Sequence, residues 1–150
     1  TRGTAGTDEH TLNGTLNLNA APADLTCSGT TASFVAGETV SRGDVVYYKP
    51  ADSKMWKADA NATATARAVA IAAEDITGAA TGRYLLRGFI KDTGTFPTYT
   101  AGDVIYTSGT AGPPADTAPS GTGDSVQVIG WAVDGDTVYF DPGSTIVEIA

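Results

Sequence analysis

Residues 83–91, Arg-Tyr-Leu-Leu-Arg-Gly-Phe-Ile-Lys, are the stretch that decides the class of fold. They are rich in aromatic and branched side chains, which pack well on the pleated surface of a sheet. Turn-forming residues flank them on both sides, at 78–82 and at 92–95. A short segment of this composition between two turns predicts a β-strand.

Similar segments recur along the chain, separated by residues that favour turns. Residues 44–49 and 54–58 predict a hairpin around the turn at 50–53. The other predicted strands cover residues 67–73, 103–107, 125–133, 137–141 and 144–149. About eight strands with frequent turns indicate an all-β fold, either a small β-sandwich or a β-barrel.

The alanine-rich stretch at 61–75 permits two interpretations. Alanine favours helix through its intrinsic propensity. However, alanine alternates with Thr, Arg, Val and Ile from position 64 to position 71, and a period of two is typical of a strand. We therefore predict a strand over 67–73.

Two short motifs recur at nearly the same spacing. Gly-Asp-Val-Val-Tyr at 43–47 matches Gly-Asp-Val-Ile-Tyr at 102–106, and residues 69–75 resemble residues 129–135. The offsets, from 43 to 102 and from 69 to 129, are 59 and 60 residues. A shared offset predicts two related half-sheets packed together. The alternative is that sequence suited to hairpins simply recurs.

The composition fits one acidic domain and excludes some partners. Of the 150 residues, 41% are hydrophobic and 17% are charged, with a formal net charge of −8 at pH 7. Binding to a phosphate backbone requires a basic surface, so we expect no nucleic-acid partner. An anionic membrane surface is disfavoured for the same reason, and the sequence shows no apolar run long enough for a transmembrane helix. A neutral or basic partner surface is compatible with this charge.

Side chains suited to catalysis or metal binding are sparse. His10 is the only histidine, so a Ser-His-Asp triad or a Cys-His dyad would have to use it, and we interpret it as a solvated side chain. Cys27 is the only cysteine, which excludes a cysteine-based zinc site. The acidic residues at 74–75 and 134–136 lie in predicted turns, which suit Asp and Gly. We therefore expect no enzyme activity, no metal and no cofactor.

The N-terminal residues 1–30 differ from the remainder and predict a flexible arm, followed by a β-rich body at 31–150. Residues 11–19 alternate apolar and polar side chains, which predicts a short strand. The Asn-Gly pair at 13–14 closes a hairpin in one interpretation. In the others the segment is a single extended strand of the arm, or the first strand of the body.

The order of motifs over residues 34–150 resembles β-rich structural modules of tailed bacteriophages, which occur in capsid decoration (cement) proteins and in tail or head fibres. The motifs that carry the resemblance lie at 43–47, 56–60, 68–72, 82–89, 101–106, 117–121, 126–132 and 138–142. The resemblance implies a virion structural protein with a β-tulip-like fold rather than an enzyme. It implies a place on the outer surface of the capsid, after synthesis in the host cytoplasm.

The resemblance also implies partners, namely the major capsid protein and further copies of this chain in a homotrimer. Decoration proteins of this kind commonly use an N-terminal arm that adds a strand to a capsid-protein sheet. We accordingly interpret Leu12, Leu16 and Leu18 as the residues that anchor the arm in a neighbouring subunit. Removal of residues 1–20 is then expected to leave a folded body with reduced capsid binding.

A second class of function also fits, a phage tail or head fibre module that recognises glycan on the host surface. It requires exposed aromatic side chains, and Trp56, in a short hairpin, is the one we expect to be exposed. Most other aromatic residues lie inside alternating strands, where core packing or subunit contact is expected. A third class, a small hydrolase, requires two facing carboxylates or a working His10.

Overall fold

A computed structural model describes residues 13–150, and these residues form a nearly all-β body, which confirms the predicted fold class. One short helix, α1 (Thr63–Ala66), interrupts the strands. The strands are β1 (Cys27–Val35), β2 (Val45–Lys49), β3 (Lys54–Lys57), β4 (Ala70–Ala72), β5 (Thr81–Lys91), β6 (Val104–Tyr106), β7 (Ser125–Val126), β8 (Val128–Ala132), β9 (Thr137–Phe140) and β10 (Val147–Glu148).

Eight of these strands form one curled sheet around β5. The order is β3-β2-β4-β5-β9-β8-β6, and β1 pairs with β5 on its other edge. β5 has 11 residues and pairs with β4 near its start and with β9 near its end. The sheet therefore divides at β5 into a first half-sheet (β2, β3, β4) and a second half-sheet (β6, β8, β9). β7 and β10 form a separate pair.

A β-bulge allows β5 to serve both half-sheets. The register of the β1–β5 pairing shifts between Thr30 and Thr31, which leaves Leu86 of β5 without a partner on β1. A bulge reverses the face to which the following side chains point. As a result Leu85 and Ile90 both enter the same core, although strict alternation would place them on opposite faces.

The core consists of two clusters on opposite faces of β2, β4 and β5. The main core lies between the two half-sheets and contains Val45, Tyr47, Ala58, Ala68, Ile71, Leu85, Ile90, Phe96, Tyr99, Ile105, Ile129, Ala132, Val138 and Phe140. The second cluster contains Ala36, Val40, Val46, Met55, Ala70, Ala72, Ile76 and Tyr84. The first half-sheet is thus covered on both faces.

The chain after β1 closes the second cluster. Ala36 forms a parallel bridge with Met55 of β3, and the Gly37 N–H donates to the Met55 carbonyl at 2.7 Å. Phe34 packs against the second cluster from β1. The predicted hairpin of β2 and β3 is present, and this contact joins it to β1.

Three predicted strands differ from the prediction, and Gln127 lies at two of the differences. The strand predicted over 144–149 is confirmed only at Val147–Glu148. The strand predicted over 67–73 is confirmed only at Ala70–Ala72. Before it, the Ala68 N–H donates to Gln127 Oε1 at 2.7 Å instead of to a neighbouring strand. The strand predicted over 125–133 is divided at the buried Gln127 into β7, which pairs with β10, and β8, which pairs with β6 and β9.

The beginning of the chain differs from the prediction. The sheet begins with β1 at Cys27, inside the segment predicted as arm and before the predicted boundary at residue 31. β1 was not predicted, because its small polar residues carry no hydrophobic alternation. Residues 13–19 form no strand, so the short strand predicted over 11–19 is absent from its described part. Thr11 and Leu12 lie outside the described residues.

Each half-sheet is entered by a turn with the same hydrogen bonds. In the first turn the Ser41 N–H donates to Asp44 Oδ2 at 2.8 Å, and in the second the Thr100 N–H donates to Asp103 Oδ2 at 2.8 Å. The glycine before each aspartate has a positive φ, +82° in the first turn and +93° in the second. Glycine adopts this left-handed conformation without the steric cost that a Cβ atom imposes.

Candidate interaction surface

The second half-sheet carries a row of apolar side chains on its outer side. Phe89 of β5 pairs with Tyr139 of β9, Tyr139 pairs with Trp131 of β8, and Trp131 pairs with Val104 of β6. We call these four residues the aromatic face. Trp131 is 45% exposed and Val104 is 42% exposed. Large apolar side chains grouped on an exposed face mark an interaction site more often than scattered ones do.

The alternation of side chains along each strand explains why this face is apolar and exposed. Ile90, Val138, Ala132 and Ile105 point into the main core. Their neighbours in sequence must point to the opposite side of the sheet. β1 and β3 cover the second cluster, but within residues 13–150 no element covers the outer side of the second half-sheet. The aromatic face therefore meets solvent.

The rings of the aromatic face contact one another. The ring centroids of Phe89 and Tyr139 are 4.8 Å apart with an interplanar angle of 48°. Those of Trp131 and Tyr139 are 5.8 Å apart at 46°. The three rings are thus tilted relative to one another and do not form one flat platform. Packed rings of this kind hold each other in place before any partner binds.

A charged pair lies at the rim of the aromatic face. Arg87 Nε donates to Tyr139 Oη at 3.1 Å, and Arg87 Nη2 donates to Asp141 Oδ2 at 3.2 Å. The hydrogen bond to Tyr139 and the nearby Asp141 carboxylate raise the pKa of Arg87, which stays cationic. Trp, Tyr and Arg together are the residues most enriched at the energetic centres of protein interfaces. The composition therefore fits a surface that binds protein.

An open apolar depression adjoins this face. It has a volume of about 420 Å³. The residues that line it are Val126, Val128, Gly143, Ser144, Thr145 and Val147. Val128 is 44% exposed on the outer side of β8, the strand that also carries Trp131. The exposed apolar surface thus continues from the aromatic face into the depression.

The tryptophan expected to be exposed is partly buried, so the prediction for Trp56 is wrong. Trp56 packs against the main core. Its Nε1 donates to the Asp52 carboxylate at 3.1 and 3.2 Å, and Lys49 Nζ lies 4.2 Å from its ring centroid. The exposed tryptophan is Trp131. Alternation along β8 is visible in the sequence, but which face meets solvent depends on how the half-sheets pack.

The leucines predicted to anchor the arm are found in different environments. Leu16 is 64% exposed, Leu18 is half-buried, and Leu12 lies outside the described residues. Residues 13–18 form no hydrogen bond with the rest of the described chain. The first contact of this kind is the Asn19 N–H, which donates to Ser28 Oγ at 2.9 Å. Within residues 13–150, the main-chain groups of this segment therefore have no partner outside it.

The acidic residues Glu74, Asp75 and Asp134 accept hydrogen bonds from main-chain N–H groups. Glu74 accepts the Arg83 N–H at 2.9 Å and Asp75 accepts the Arg42 N–H at 2.8 Å. The Asp134 carboxylate accepts the Asp136 N–H at 3.0 Å, and this hydrogen bond lowers the pKa of Asp134. Among residues 13–150, no group of three or more His, Cys, Asp or Glu side chains is arranged to hold a metal. His10 lies outside the described residues.

In comparisons with known proteins, no family model, no curated protein and no solved structure matches this chain. Within residues 13–150, no helix has the length and the apolar character that crossing a membrane requires.

Proposed function

We propose that this protein is a virion structural protein that binds the outside of a bacteriophage capsid, stabilises the shell, and has no enzymatic role. The observation that carries the proposal is the segment 13–18, with an exposed Leu16 and main-chain groups that make no hydrogen bond to the rest of the described chain. The resemblance to capsid decoration proteins supports it independently. The partners are the major capsid protein and further copies of this chain, assembled as a trimer.

The free main-chain groups fit binding by strand addition. An extended segment that joins the edge of a sheet gains main-chain hydrogen bonds, and its alternate side chains enter pockets of the partner. Leu16 and Leu18 are two residues apart, so in an extended conformation they lie on one face. The gain must exceed the entropy lost when the segment becomes ordered. Repetition over many capsid sites then adds to the stability of the shell.

The acidic charge restricts the capsid surface that this protein would contact. With a formal net charge of −8, the chain is attracted to basic surfaces and repelled by acidic ones. We therefore expect the contacted capsid surface to be neutral or basic. Binding is expected to weaken as salt rises where the surface is basic, because salt screens exposed charges.

A truncation tests the role of the segment. The chain without residues 1–18 keeps Asn19 and its bond to Ser28, so we expect a folded body. Co-sedimentation with capsids that lack this protein is expected to show loss of binding. A thermal melt checks that the truncated chain folds. Unchanged occupancy on the capsids would overturn the role of the arm.

A pair of point variants separates the leucine from the main chain. Leu16→Lys places a charge where the proposal needs an apolar anchor, and we expect weaker capsid binding. Asn17→Lys adds the same charge at the neighbouring exposed position and serves as the control. Equal binding by both variants would contradict the role of Leu16.

The location on the particle tests the proposal as a whole. Gold-labelled antibody against this protein is expected to mark the heads of intact virions in electron micrographs. Label confined to tails or fibres would contradict the proposal and favour a receptor-binding module. Absence of label on every particle would contradict a virion role.

A further inference from the structure

The aromatic face has a buried counterpart in the first half-sheet. Three apolar residues there occupy equivalent positions on β2, β4 and β5, and they pair across the strands in the same order. We call them the inner row: Val45, Ile71 and Leu85. Their counterparts in the aromatic face are Val104, Trp131 and Tyr139.

Main-chain hydrogen bonds support this equivalence. In the first half-sheet the Ala72 N–H donates to the Asp44 carbonyl at 2.8 Å. The Ala72 carbonyl in turn accepts the N–H of the glycine that precedes Asp44, at 2.9 Å. In the second half-sheet the Ala132 N–H donates to the Asp103 carbonyl at 2.8 Å. The Ala132 carbonyl accepts the N–H of the glycine that precedes Asp103, also at 2.8 Å. Each entry turn is thus joined to its half-sheet in the same way.

The two rows differ in what covers them. The inner row is at most 1% exposed, since it packs in the main core against Ile105, Ala132 and Val138 of the second half-sheet. The second half-sheet of the same chain therefore covers the inner row. The aromatic face occupies the equivalent position and is left uncovered in the single chain.

We infer that the aromatic face binds a second copy of this chain. This inference rests on the proposed function, in which the protein assembles with copies of itself on a shell. It adds the surface through which two copies bind. Covering Trp131, Tyr139 and Phe89 removes large apolar side chains from water, which is the main driving force of association.

The charges at the rim fit a second copy. Arg87 and Asp141 place opposite charges side by side, so the rim of one copy can pair with the rim of another. Two copies with a charge of −8 each repel one another least where the local charge is balanced.

Light scattering of the full chain over a range of concentrations tests the inference. We expect the wild-type chain to associate, and Trp131→Lys and Val104→Lys each to weaken association by about 30-fold, the effect of losing an interface hot spot. Tyr48→Lys is the matched control, because Tyr48 is 42% exposed on β2, outside the aromatic face. The control variant is expected to associate like the wild-type chain.

Tryptophan fluorescence of the wild-type chain gives a second measurement that needs no substitution. Dilution that separates the copies is expected to shift the emission of Trp131 to longer wavelength, as the indole enters water. An unchanged spectrum across dissociation would overturn the inference. Thermal melts of the lysine variants check that a loss of association is not a loss of folding.

Other outcomes overturn the inference and remain distinguishable from failure of the proposed function. A wild-type chain that stays monomeric at every concentration, or an equal effect of Tyr48→Lys, would overturn it. Glycan binding on an array that is lost in Trp131→Lys would assign the aromatic face to a sugar instead. None of these measurements uses capsids. A monomer that still binds capsids in the co-sedimentation experiment overturns this inference and the trimeric assembly, while the proposed binding to the capsid stands.

Discussion

The side chain of Gln127 joins three segments that are distant in sequence. It is 1% exposed. Its Oε1 accepts the Ala68 N–H at 2.7 Å, and its Nε2 donates to the Ala68 carbonyl at 3.1 Å and to the Gly143 carbonyl at 2.7 Å. A buried amide with its donors and acceptors paired fixes the main chain around it.

Substitution of this amide tests its role. Gln127→Leu removes four side-chain hydrogen bonds and leaves the carbonyls of Ala68 and Gly143 without these donors, so we expect the free energy of unfolding to fall by about 2–4 kcal/mol. Denaturant unfolding measures the change. Asn17→Leu is the control, because Asn17 is exposed. Equal stability of the Gln127 variant and the wild-type chain would contradict this role.

The hydroxyl of Tyr84 presents the opposite case. Tyr84 lies fully buried in the second cluster, and its hydroxyl has no hydrogen-bond partner within the described residues. Burial raises the pKa of Tyr84 from 10.0 to about 12, because the phenolate is poorly solvated there. The ring contributes to packing, while the unpaired hydroxyl costs free energy.

Tyr84→Phe removes that hydroxyl and is expected to leave the chain as stable as the wild type or more stable at neutral pH. Above pH 10.0 the tyrosine of the unfolded chain ionises first, so the wild-type chain loses stability until pH reaches about 12. The variant lacks this contribution and is expected to lose less over that interval. Urea unfolding at several alkaline pH values measures the difference. Parallel pH profiles for the two chains would contradict the prediction.

The short strand β4 shows why small residues occupy the middle of the first half-sheet. Ala70 and Ala72 face the second cluster while Ile71 faces the main core, and all three are fully buried. A strand covered on both faces does not alternate between apolar and polar residues. The alternation of Ala70 and Ala72 with Ile71 therefore reflects limited space on one face rather than exposure to solvent.

A larger side chain on that face tests the limit of space. Ala72→Leu must fit beside Val40, Ile76 and Tyr84 in a closed cluster. We expect stability to fall by about 1–3 kcal/mol, the usual cost of overpacking a core. Thr81→Leu, at an exposed position of β5, is the control and is expected to change stability little. Thermal unfolding compares the two, and an equal effect would contradict the prediction.

The two half-sheets depend on each other. β5 pairs with strands of both, and the main core contains side chains from both. Neither half-sheet can unfold without exposing the main core to water. We therefore expect the described body to unfold as one cooperative unit.

The two tryptophans report on the half-sheets separately. Trp56 lies on β3 of the first and Trp131 lies on β8 of the second. In Trp131→Phe the fluorescence follows the first half-sheet, and in Trp56→Phe it follows the second. For each variant we expect the fluorescence midpoint in denaturant to equal the midpoint from circular dichroism. Two separate transitions in either variant would contradict cooperative unfolding.

Much of the fold follows from local patterns. Residues 83–91 and the hairpin of β2 and β3 were predicted within a few residues, because alternation and turn residues act over short distances. β1 was missed, because its pairing with β5 depends on a partner far along the chain and not on its own hydrophobic pattern. Leu16 was predicted to anchor the N-terminal arm in a partner. It is exposed, and its role in binding stays a prediction.

The amino-acid sequence alone determined the all-β class, the acidic charge and the positions of most strands, since these depend on residue type and near neighbours. Only the tertiary structure decided which faces are covered. It buried part of Trp56, exposed Trp131, and placed Gln127 against Ala68, 59 residues away. The physical reason is that strand periodicity assigns side chains to two faces of a sheet, but the packing of one half-sheet on the other selects the face that meets water.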